Sequence, residues 1–89
     1  MFYTYIVECA DGTYYTGWTT DIRARVAVHN KGNGARYTRS RLPVTLIYYE
    51  LHPSESQARK REYAIKQLSR AAKETLVAGF SGAGGSTVQ

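Results

Sequence analysis

Two segments rich in aromatic and β-branched residues, separated by a turn sequence, constrain the fold of this chain more than any other feature. The segments are FYTYIVE at 2–8 and YYTGW at 14–18, and the residues between them include Asp11 followed by Gly12. Aromatic and β-branched residues favour strands, and Asp-Gly is a strong signal for a hairpin turn. We therefore predict that the chain begins with a β-hairpin. Its tyrosines are candidates for cross-strand packing or for a functional site.

The length of the hairpin loop decides which face of the sheet each tyrosine occupies. With a two-residue loop, Glu8 would pair with Tyr15, and Tyr15 would lie on the face opposite Tyr5. With a three-residue loop that ends in a left-handed Gly12, Val7 would pair with Tyr15, and the two tyrosines would share a face. We predict the three-residue loop.

The remainder of the chain alternates between helical and extended patterns. Polar residues at 19–21, Ser54 and Ser69 are typical of helix N-caps. An apolar and aromatic run after Pro43 is typical of a strand that is central in a sheet or buried on both faces. The elements predicted after the hairpin are a helix at 22–30, a glycine-rich loop at 32–41, a strand at about 44–50, and helices at about 55–68 and 70–79. The order β-β-α-β-α-α indicates the α+β class.

The composition fits one small domain. The chain has 89 residues, of which 43% are hydrophobic, so there is room for a single core. The only cysteine, Cys9, cannot form an internal disulfide, and we expect it to be a small buried apolar side chain. We predict one domain over residues 1–80 and a flexible tail at 81–89, whose sequence is SGAGGSTVQ.

Charge and hydropathy indicate the kind of partner. The formal net charge of +5 suits a polyanion such as nucleic acid, although a basic balance also serves solubility alone. An apolar run of membrane-spanning length and a signal-peptide pattern are both absent from the sequence. We therefore expect a soluble, cytoplasmic protein with no membrane partner.

Ionisable residues at the apolar faces of two predicted helices are the main candidates for a site. With about 100° of rotation per residue, Arg25 and His29 share the apolar face of the first helix, and Glu62 borders that of the next long helix. Burying an unpaired charge is costly, so we expect an anion to meet Arg25. A single carboxylate at such a place favours a hydrated Mg²⁺. The alternatives are an arginine extending to solvent, a histidine bonded to a carbonyl, and an exposed Glu62–Lys66 pair.

The segments TYIVECADGTYYTGWTTDIRARVAVH, GARYTRSRLPVTLIYYE and KREYAIKQLS resemble the GIY-YIG nuclease superfamily, in particular its small stand-alone bacterial members. The resemblance covers about residues 2–79. The name-giving motif is degenerate here, with YTY at 3–5 for its first half and YTG at 15–17 for its second. The matching motif residues are Tyr5, Tyr15, Gly17, Arg25, His29 and Glu62. The fold implied by the resemblance is a three-stranded antiparallel sheet flanked by helices.

The activity implied by the resemblance is hydrolysis of a phosphodiester with one divalent cation, Mg²⁺ or Mn²⁺. Glu62 would hold the metal, and Arg25 would bind the phosphate. Tyr5 or Tyr15 would take a proton from the attacking water, and we favour Tyr5. Ionising a tyrosine at pH 7 costs roughly 4 kcal/mol, which the metal, Arg25 and a nearby His29 would have to reduce.

Further basic and aromatic residues are candidates for contacts with nucleic acid, with DNA favoured over RNA. They are Arg23, Lys31, Arg36, Tyr37, Arg39 and Arg41. The cations would meet phosphates and Tyr37 would stack on a base, whereas the alternative is an ordinary solvated loop.

The chain also departs from the pattern of its relatives. Many family members carry a lysine where Trp18 stands, so a second cation for the phosphate would have to be Arg23 or Lys31, or be absent. The family's asparagine near the end of the domain and a separate DNA-binding domain are also missing from the sequence. Two other functions therefore stay open: a non-catalytic nucleic-acid-binding module, and an interaction subunit of a partner enzyme.

Overall fold

A three-stranded antiparallel sheet in the order β2-β1-β3 forms the centre of the fold. The structure is a computed structural model that describes residues 1–80, so the tail predicted at 81–89 lies outside the described residues. The strands are β1 (Phe2–Glu8), β2 (Tyr14–Thr19) and β3 (Thr45–His52). The helices are α1 (Ile22–Asn30), α2 (Arg36–Arg39), α3 (Glu55–Lys66) and α4 (Arg70–Ala78).

The hairpin between β1 and β2 has the predicted three-residue loop. Gly12 has a φ of 84°, a left-handed conformation that glycine adopts without strain, and the backbone N–H of Cys9 donates to the carbonyl of Thr13 at 2.8 Å. Val7 pairs with Tyr15. Because residues directly opposite in an antiparallel pair share a face, and alternate residues along a strand do too, Tyr5 and Tyr15 lie on the same face of the sheet.

Side-chain caps fix the starts of the three longer helices. The side chain of Asp21 accepts from the backbone N–H of Ala24 at 3.1 Å at the start of α1. Ser54 and Ser69 do the same for the third residue of α3 and α4, at 3.2 and 3.1 Å. Each such cap stabilises its helix by about 1 kcal/mol. The predicted starts are confirmed, whereas α3 ends at Lys66, earlier than predicted.

One detail of the predicted architecture was wrong. The segment 32–41 is not entirely a loop, because it contains the four-residue helix α2, which is too short to show a helical period in the sequence.

Of the two positions predicted for the third strand, the structure has the one that is buried on both faces. The strand is not central, since β1 lies between β2 and β3. Its apolar run instead packs on both faces of the sheet, with Tyr48 on one face and Leu46 and Tyr49 on the other.

Both faces of the sheet are covered, and each has its own core. On the α1 face, Tyr5, Val7 and Cys9 pack with Val44 and with Val26 of α1. Cys9 is 3% exposed, as the sequence predicted. On the α3/α4 face, the buried cluster consists of Ile6, Tyr48 and Ile65, against which Leu76, Val77 and Phe80 pack.

A polar network on the α3/α4 face connects β3 to α3. Arg61 donates from Nε to both carboxylate oxygens of Glu50, at 2.9 and 3.0 Å, and the Tyr48 hydroxyl also donates to this carboxylate. Burial acts to raise the pKa of Glu50, but the hydrogen bonds from Arg61 and Tyr48 outweigh it and hold the pKa below its ordinary value. The network therefore favours the ionised carboxylate.

None of the helices formed by residues 1–80 has both the length and the apolar character needed to cross a bilayer.

Candidate active site

A cavity of about 440 Å³ opens on the α1 face of the sheet. The hairpin, α1, the segment before α2, and α3 all contribute to its walls. Its lining residues are Tyr5, Tyr15, Gly17, Trp18, Thr19, Thr20, Arg25, His29, Asn33, Gly34, Ala35 and Glu62. All six residues that match the GIY-YIG motif thus line one cavity, although they come from four different elements.

A chain of hydrogen bonds runs from the cavity into the interior. The Tyr5 hydroxyl lies 2.9 Å from Nε2 of His29, and Nδ1 of His29 lies 2.9 Å from the Thr38 hydroxyl oxygen. Thr38 in turn donates to the carbonyl of Ala35 at 2.9 Å. The side chains are deeply buried, with Tyr5 2%, His29 1% and Thr38 0% exposed.

The donor and the acceptor in each of these hydrogen bonds follow from the last bond, between Thr38 and the carbonyl of Ala35. A threonine hydroxyl has one proton, and that of Thr38 is given to the carbonyl of Ala35. Thr38 must therefore accept from His29, so Nδ1 of His29 carries the proton in the neutral ring. Nε2 is then an acceptor, and Tyr5 donates its hydroxyl proton to it. The network thus orients His29 as a base toward Tyr5.

The ionisation of both residues agrees with this direction. Burial, and secondarily the positive charge of Arg25, lowers the pKa of His29 below its ordinary value, so the ring is neutral at pH 7. Burial raises the pKa of Tyr5, and the neighbouring Tyr15 raises it further, whereas Arg25 lowers it. A free-standing Tyr5 phenolate is therefore costly in this site, and Tyr5 is suited to pass a proton on to His29 while it accepts another.

Two glycines allow the buried pair to pack closely. A Cβ atom on Gly17 would lie 2.6 Å from the Tyr5 hydroxyl oxygen, because the tyrosine ring crosses directly over this strand position. A Cβ atom on Gly34 would overlap the ring of His29. Gly17 and Gly34 thus permit the close approach that the hydrogen bond between Tyr5 and His29 requires.

Tyr15 lies beside the hydrogen-bond chain. Its ring meets that of His29 at 5.4 Å between centroids in an edge arrangement, and it stacks at 6.2 Å on Tyr37 from α2. The guanidinium of Arg41 covers Tyr37 at 3.9 Å from the ring centroid. These contacts fix the Tyr15 ring at the wall of the cavity.

Arg25 and Glu62 give the cavity a cation and an anion. Arg25 of α1 is exposed, which is the alternative that the sequence offered to a buried arginine, and within residues 1–80 it has no ion pair. The side chain of Glu62 is 20% exposed, and its Oε2 atom lies 3.0 Å from Nζ of Lys66. The i,i+4 pair that the sequence offered as an alternative is therefore present, and Glu62 lines the cavity as well.

The donor set fits a single hydrated divalent cation rather than a site built wholly of protein ligands. Among residues 1–80, no group of three or more His, Cys, Asp or Glu side chains is placed to hold a metal ion. Glu62 offers one carboxylate at the cavity wall, and only its Oε2 atom is engaged by Lys66. Mg²⁺ typically binds one or two carboxylates and completes its shell with water and substrate phosphate. Glu62 is the residue that would hold it.

The other predicted contact residues lie outside the cavity. Arg23 and Lys31 are exposed on α1 and at its end, and Arg36 and Arg39 are exposed on α2. Arg41 is held within the protein, since its Nε donates to Asp11 at 3.1 Å and its Nη1 to a backbone carbonyl at 2.7 Å.

Three residues that shape the site were not predicted from the sequence. Thr38 orients His29, Ala35 accepts from Thr38, and Gly34 makes room for the imidazole. They lie in the glycine-rich segment, where threonine and glycine are ordinary loop residues. The only signal in the sequence was Gly34, the second glycine of GNG. Because α1 has already ended at Asn30, this glycine is not needed to end the helix.

Comparison with known proteins identifies the class to which this site belongs. Residues 1–75 match the model of the family described as the GIY-YIG catalytic domain. The chain therefore belongs to the GIY-YIG family, and both this resemblance and the α+β fold predicted from the sequence are confirmed.

Proteins similar to this chain include small proteins that carry the name UPF0213. That of Halobacterium salinarum is 62% identical over 76 residues, which are 85% of this chain and 99% of the relative. That of Staphylococcus haemolyticus is 51% identical, covering 84% of this chain and 92% of the relative. The solution NMR structure of the UPF0213 protein BH0048 from Bacillus halodurans superposes with a TM-score of 0.57 at 48% identity, covering 88% of this chain and 84% of that one.

Proposed function

We propose that this protein is a divalent-metal-dependent endonuclease that hydrolyses phosphodiester bonds of nucleic acid, with residues 1–80 as its catalytic domain. The observation that carries the proposal is the directed hydrogen-bond chain from Tyr5 to His29 and Thr38, which ends in a cavity that also holds Arg25 and Glu62. Membership of the GIY-YIG family supports the same reaction class.

Each residue has a defined task in this reaction. Arg25 binds the scissile phosphate, since its guanidinium is free of intramolecular ion pairs within the described residues. As the water oxygen forms its bond to phosphorus and the bond to the leaving oxygen breaks, the water gives a proton to the Tyr5 oxygen. Tyr5 passes its own proton to Nε2 of His29, so no phenolate accumulates. Tyr15 orients the water or the phosphate.

Glu62 would hold Mg²⁺ or Mn²⁺ in the cavity that it lines. A divalent cation bound there supplies charge stabilisation for the phosphate and the leaving oxygen. The protein contributes the carboxylate, and Lys66 keeps it oriented at 3.0 Å.

The basic residues outside the cavity form the contact surface for the rest of the substrate. Arg23 and Lys31, on α1 and at its end, and Arg36 and Arg39, on α2, meet backbone phosphates, with DNA favoured over RNA. The Tyr37 ring already stacks on Tyr15 and has the Arg41 guanidinium 3.9 Å from its centroid, so a base that stacks on Tyr37 competes with these contacts.

Nuclease assays on a panel of substrates test the proposal. The purified protein is incubated with Mg²⁺ or Mn²⁺ and single-stranded, duplex, flap and branched DNA, and with matched RNA, alongside Glu62→Ala. Metal-dependent cleavage by the wild type, lost in Glu62→Ala with binding retained, supports the endonuclease. Equal cleavage by both proteins indicates a contaminating nuclease and contradicts the assignment of Glu62.

One observation favours a second candidate, a non-catalytic nucleic-acid-binding module. Glu62 is the one carboxylate among the described residues that line the cavity, and it is already paired with Lys66 at 3.0 Å. Binding without cleavage under all metal conditions would select this function. Cleavage that appears only after a partner protein is added would select an interaction subunit instead.

A further inference from the structure

A second, smaller depression lies next to the cavity, along the outer edge of β2. Its volume is about 170 Å³, and its lining residues are Tyr14, Tyr15, Thr16, Tyr37, Lys66 and Lys73. Tyr15 belongs to the walls of both, so the depression adjoins the cavity at this residue. We refer to it as the β2-edge depression.

The charge of this depression is entirely positive. Its two ionised side chains are Lys66 and Lys73, and its other lining residues contribute hydroxyl groups and aromatic rings. The ammonium of Lys66 lies 5.6 Å from the centroid of the Tyr15 ring and 3.0 Å from Glu62. It therefore stands at the boundary between the depression and the cavity.

Lys73 is the cation of the depression whose charge is not paired within residues 1–80. It is half-buried on α4, yet within residues 1–80 it has neither an ion pair nor a side-chain hydrogen bond. Its neighbour Arg70 differs, because it is held by Glu74 at 2.9 Å, by the carbonyl of Gly12 at 3.0 Å and by the ring of Tyr14 at 3.7 Å. A lysine kept partly out of water without a counter-charge favours an anion beside it.

We propose that the β2-edge depression binds the backbone phosphate that neighbours the scissile phosphate, with Lys66 and Lys73 as its ligands. This inference rests on the proposed function, because it places a second contact on the same strand. Because Tyr15 lines both pockets, a strand that places one phosphate in the cavity can place the next in the depression. Lys66 and Lys73 thus supply the second cation that Trp18 does not, and neither Arg23 nor Lys31 reaches the cavity to supply it.

Binding measured in EDTA tests the inference separately from catalysis. Fluorescence anisotropy with labelled single-stranded DNA gives the affinity and its salt dependence for wild type, Lys73→Ala, and the double variant Lys66→Ala with Lys73→Ala. The matched control is Lys60→Ala, which removes one exposed lysine of α3 that does not line the depression. Circular dichroism confirms that the variants fold.

We expect Lys73→Ala to weaken binding on the order of five-fold and to lower the slope of log affinity against log salt. The double variant removes both ligands of the same phosphate, so it should lose about 0.7 of this slope, the value of one single-strand phosphate contact, and Lys60→Ala should match the wild type. Lys73→Arg should restore binding. A DNA strand in which one uncharged methylphosphonate replaces the phosphate beside the scissile one should bind the wild type more weakly and bind the double variant as well as unmodified DNA does.

The possible failures are distinguishable. Unchanged affinity and slope in the double variant, with a wild type that binds DNA, overturns this inference and leaves the endonuclease proposal standing. A changed slope in a protein that cleaves nothing with any metal supports this inference and overturns the endonuclease. A wild type that binds no nucleic acid overturns both.

Discussion

Removal of the Thr38 hydroxyl, at the buried end of the hydrogen-bond chain, tests whether that chain sets the protonation of His29. It accepts from Nδ1 of His29 and donates to the carbonyl of Ala35, both at 2.9 Å, in a residue that is 0% exposed. Valine has nearly the same shape without the hydroxyl, so Thr38→Val leaves the Nδ1 proton of His29 without an acceptor. A buried unsatisfied donor costs about 1–3 kcal/mol. That cost is avoided if the proton moves to Nε2, the atom that must accept from Tyr5.

We therefore expect Thr38→Val to convert His29 to the tautomer that cannot serve as a base. The cleavage rate should fall on the order of 10²-fold or more, since a positioned general base typically contributes about 10²–10⁴. Affinity for DNA should change little, because Thr38 does not line the cavity. Single-turnover cleavage measures the rate, and the ¹⁵N shifts of the imidazole identify the tautomer.

Thr4→Val is the matched control. Thr4 is also 0% exposed and donates to the carbonyl of Ala58 at 2.8 Å, but it contacts α3 rather than the site. Both variants should be less stable than the wild type. Only Thr38→Val should shift the His29 proton away from Nδ1 and slow cleavage. A Thr38→Val protein that keeps the Nδ1 proton and cleaves as fast as Thr4→Val would refute the directed chain.

Three further outcomes are expected. Gly17→Ala should lower the free energy of unfolding by about 1–3 kcal/mol and abolish cleavage, because its Cβ would displace the Tyr5 ring. The control Gly79→Ala should be tolerated, since its Cβ would have contacts no closer than 3.6 Å. Thermal melts and cleavage assays measure the two effects. Because burial and Arg25 lower the pKa of His29 from its ordinary value of about 6.5, cleavage should persist at that pH and fall only at more acid pH, where His29 is protonated; a rate that rises toward acid pH would contradict its role as a base. Glu50→Gln should lower stability by about 1–2 kcal/mol at pH 7. Since the folded-state pKa of Glu50 is depressed, that difference should vanish as the pH falls through and below about 4.5, and a pH-independent difference in chemical denaturation would contradict the ionic network.

The hairpin and the helix starts could be predicted because their determinants are local. The left-handed glycine fixes the register of β1 and β2, and that register alone decides that Tyr5 and Tyr15 share a face. Side-chain caps act within one turn, so Ser54 and Ser69 mark helix starts without any tertiary information.

The features that the sequence did not reveal depend on contacts between distant segments. Thr38 is an ordinary loop residue until His29 is placed against it, and α2 is too short for any periodicity. The sequence predicts the same role, contact with nucleic acid, for all the arginines of 36–41. The pairing of Arg41 with Asp11 was not predictable, because it depends on the packing of the hairpin loop against this segment. The convergence of Arg25, His29 and Glu62 was predictable as a coincidence of helix faces, whereas the geometry that orients them was not.

The single-turnover cleavage rate of Tyr5→Phe, measured at saturating DNA with Mg²⁺ or Mn²⁺, tests the central claim most directly. The substitution removes one oxygen atom from the head of the hydrogen-bond chain and keeps the ring that packs over Gly17. We expect metal-dependent cleavage by the wild type, a loss of about 10²–10⁴-fold in Tyr5→Phe, and unchanged affinity for DNA in EDTA. Cleavage by Tyr5→Phe at the wild-type rate would contradict the account.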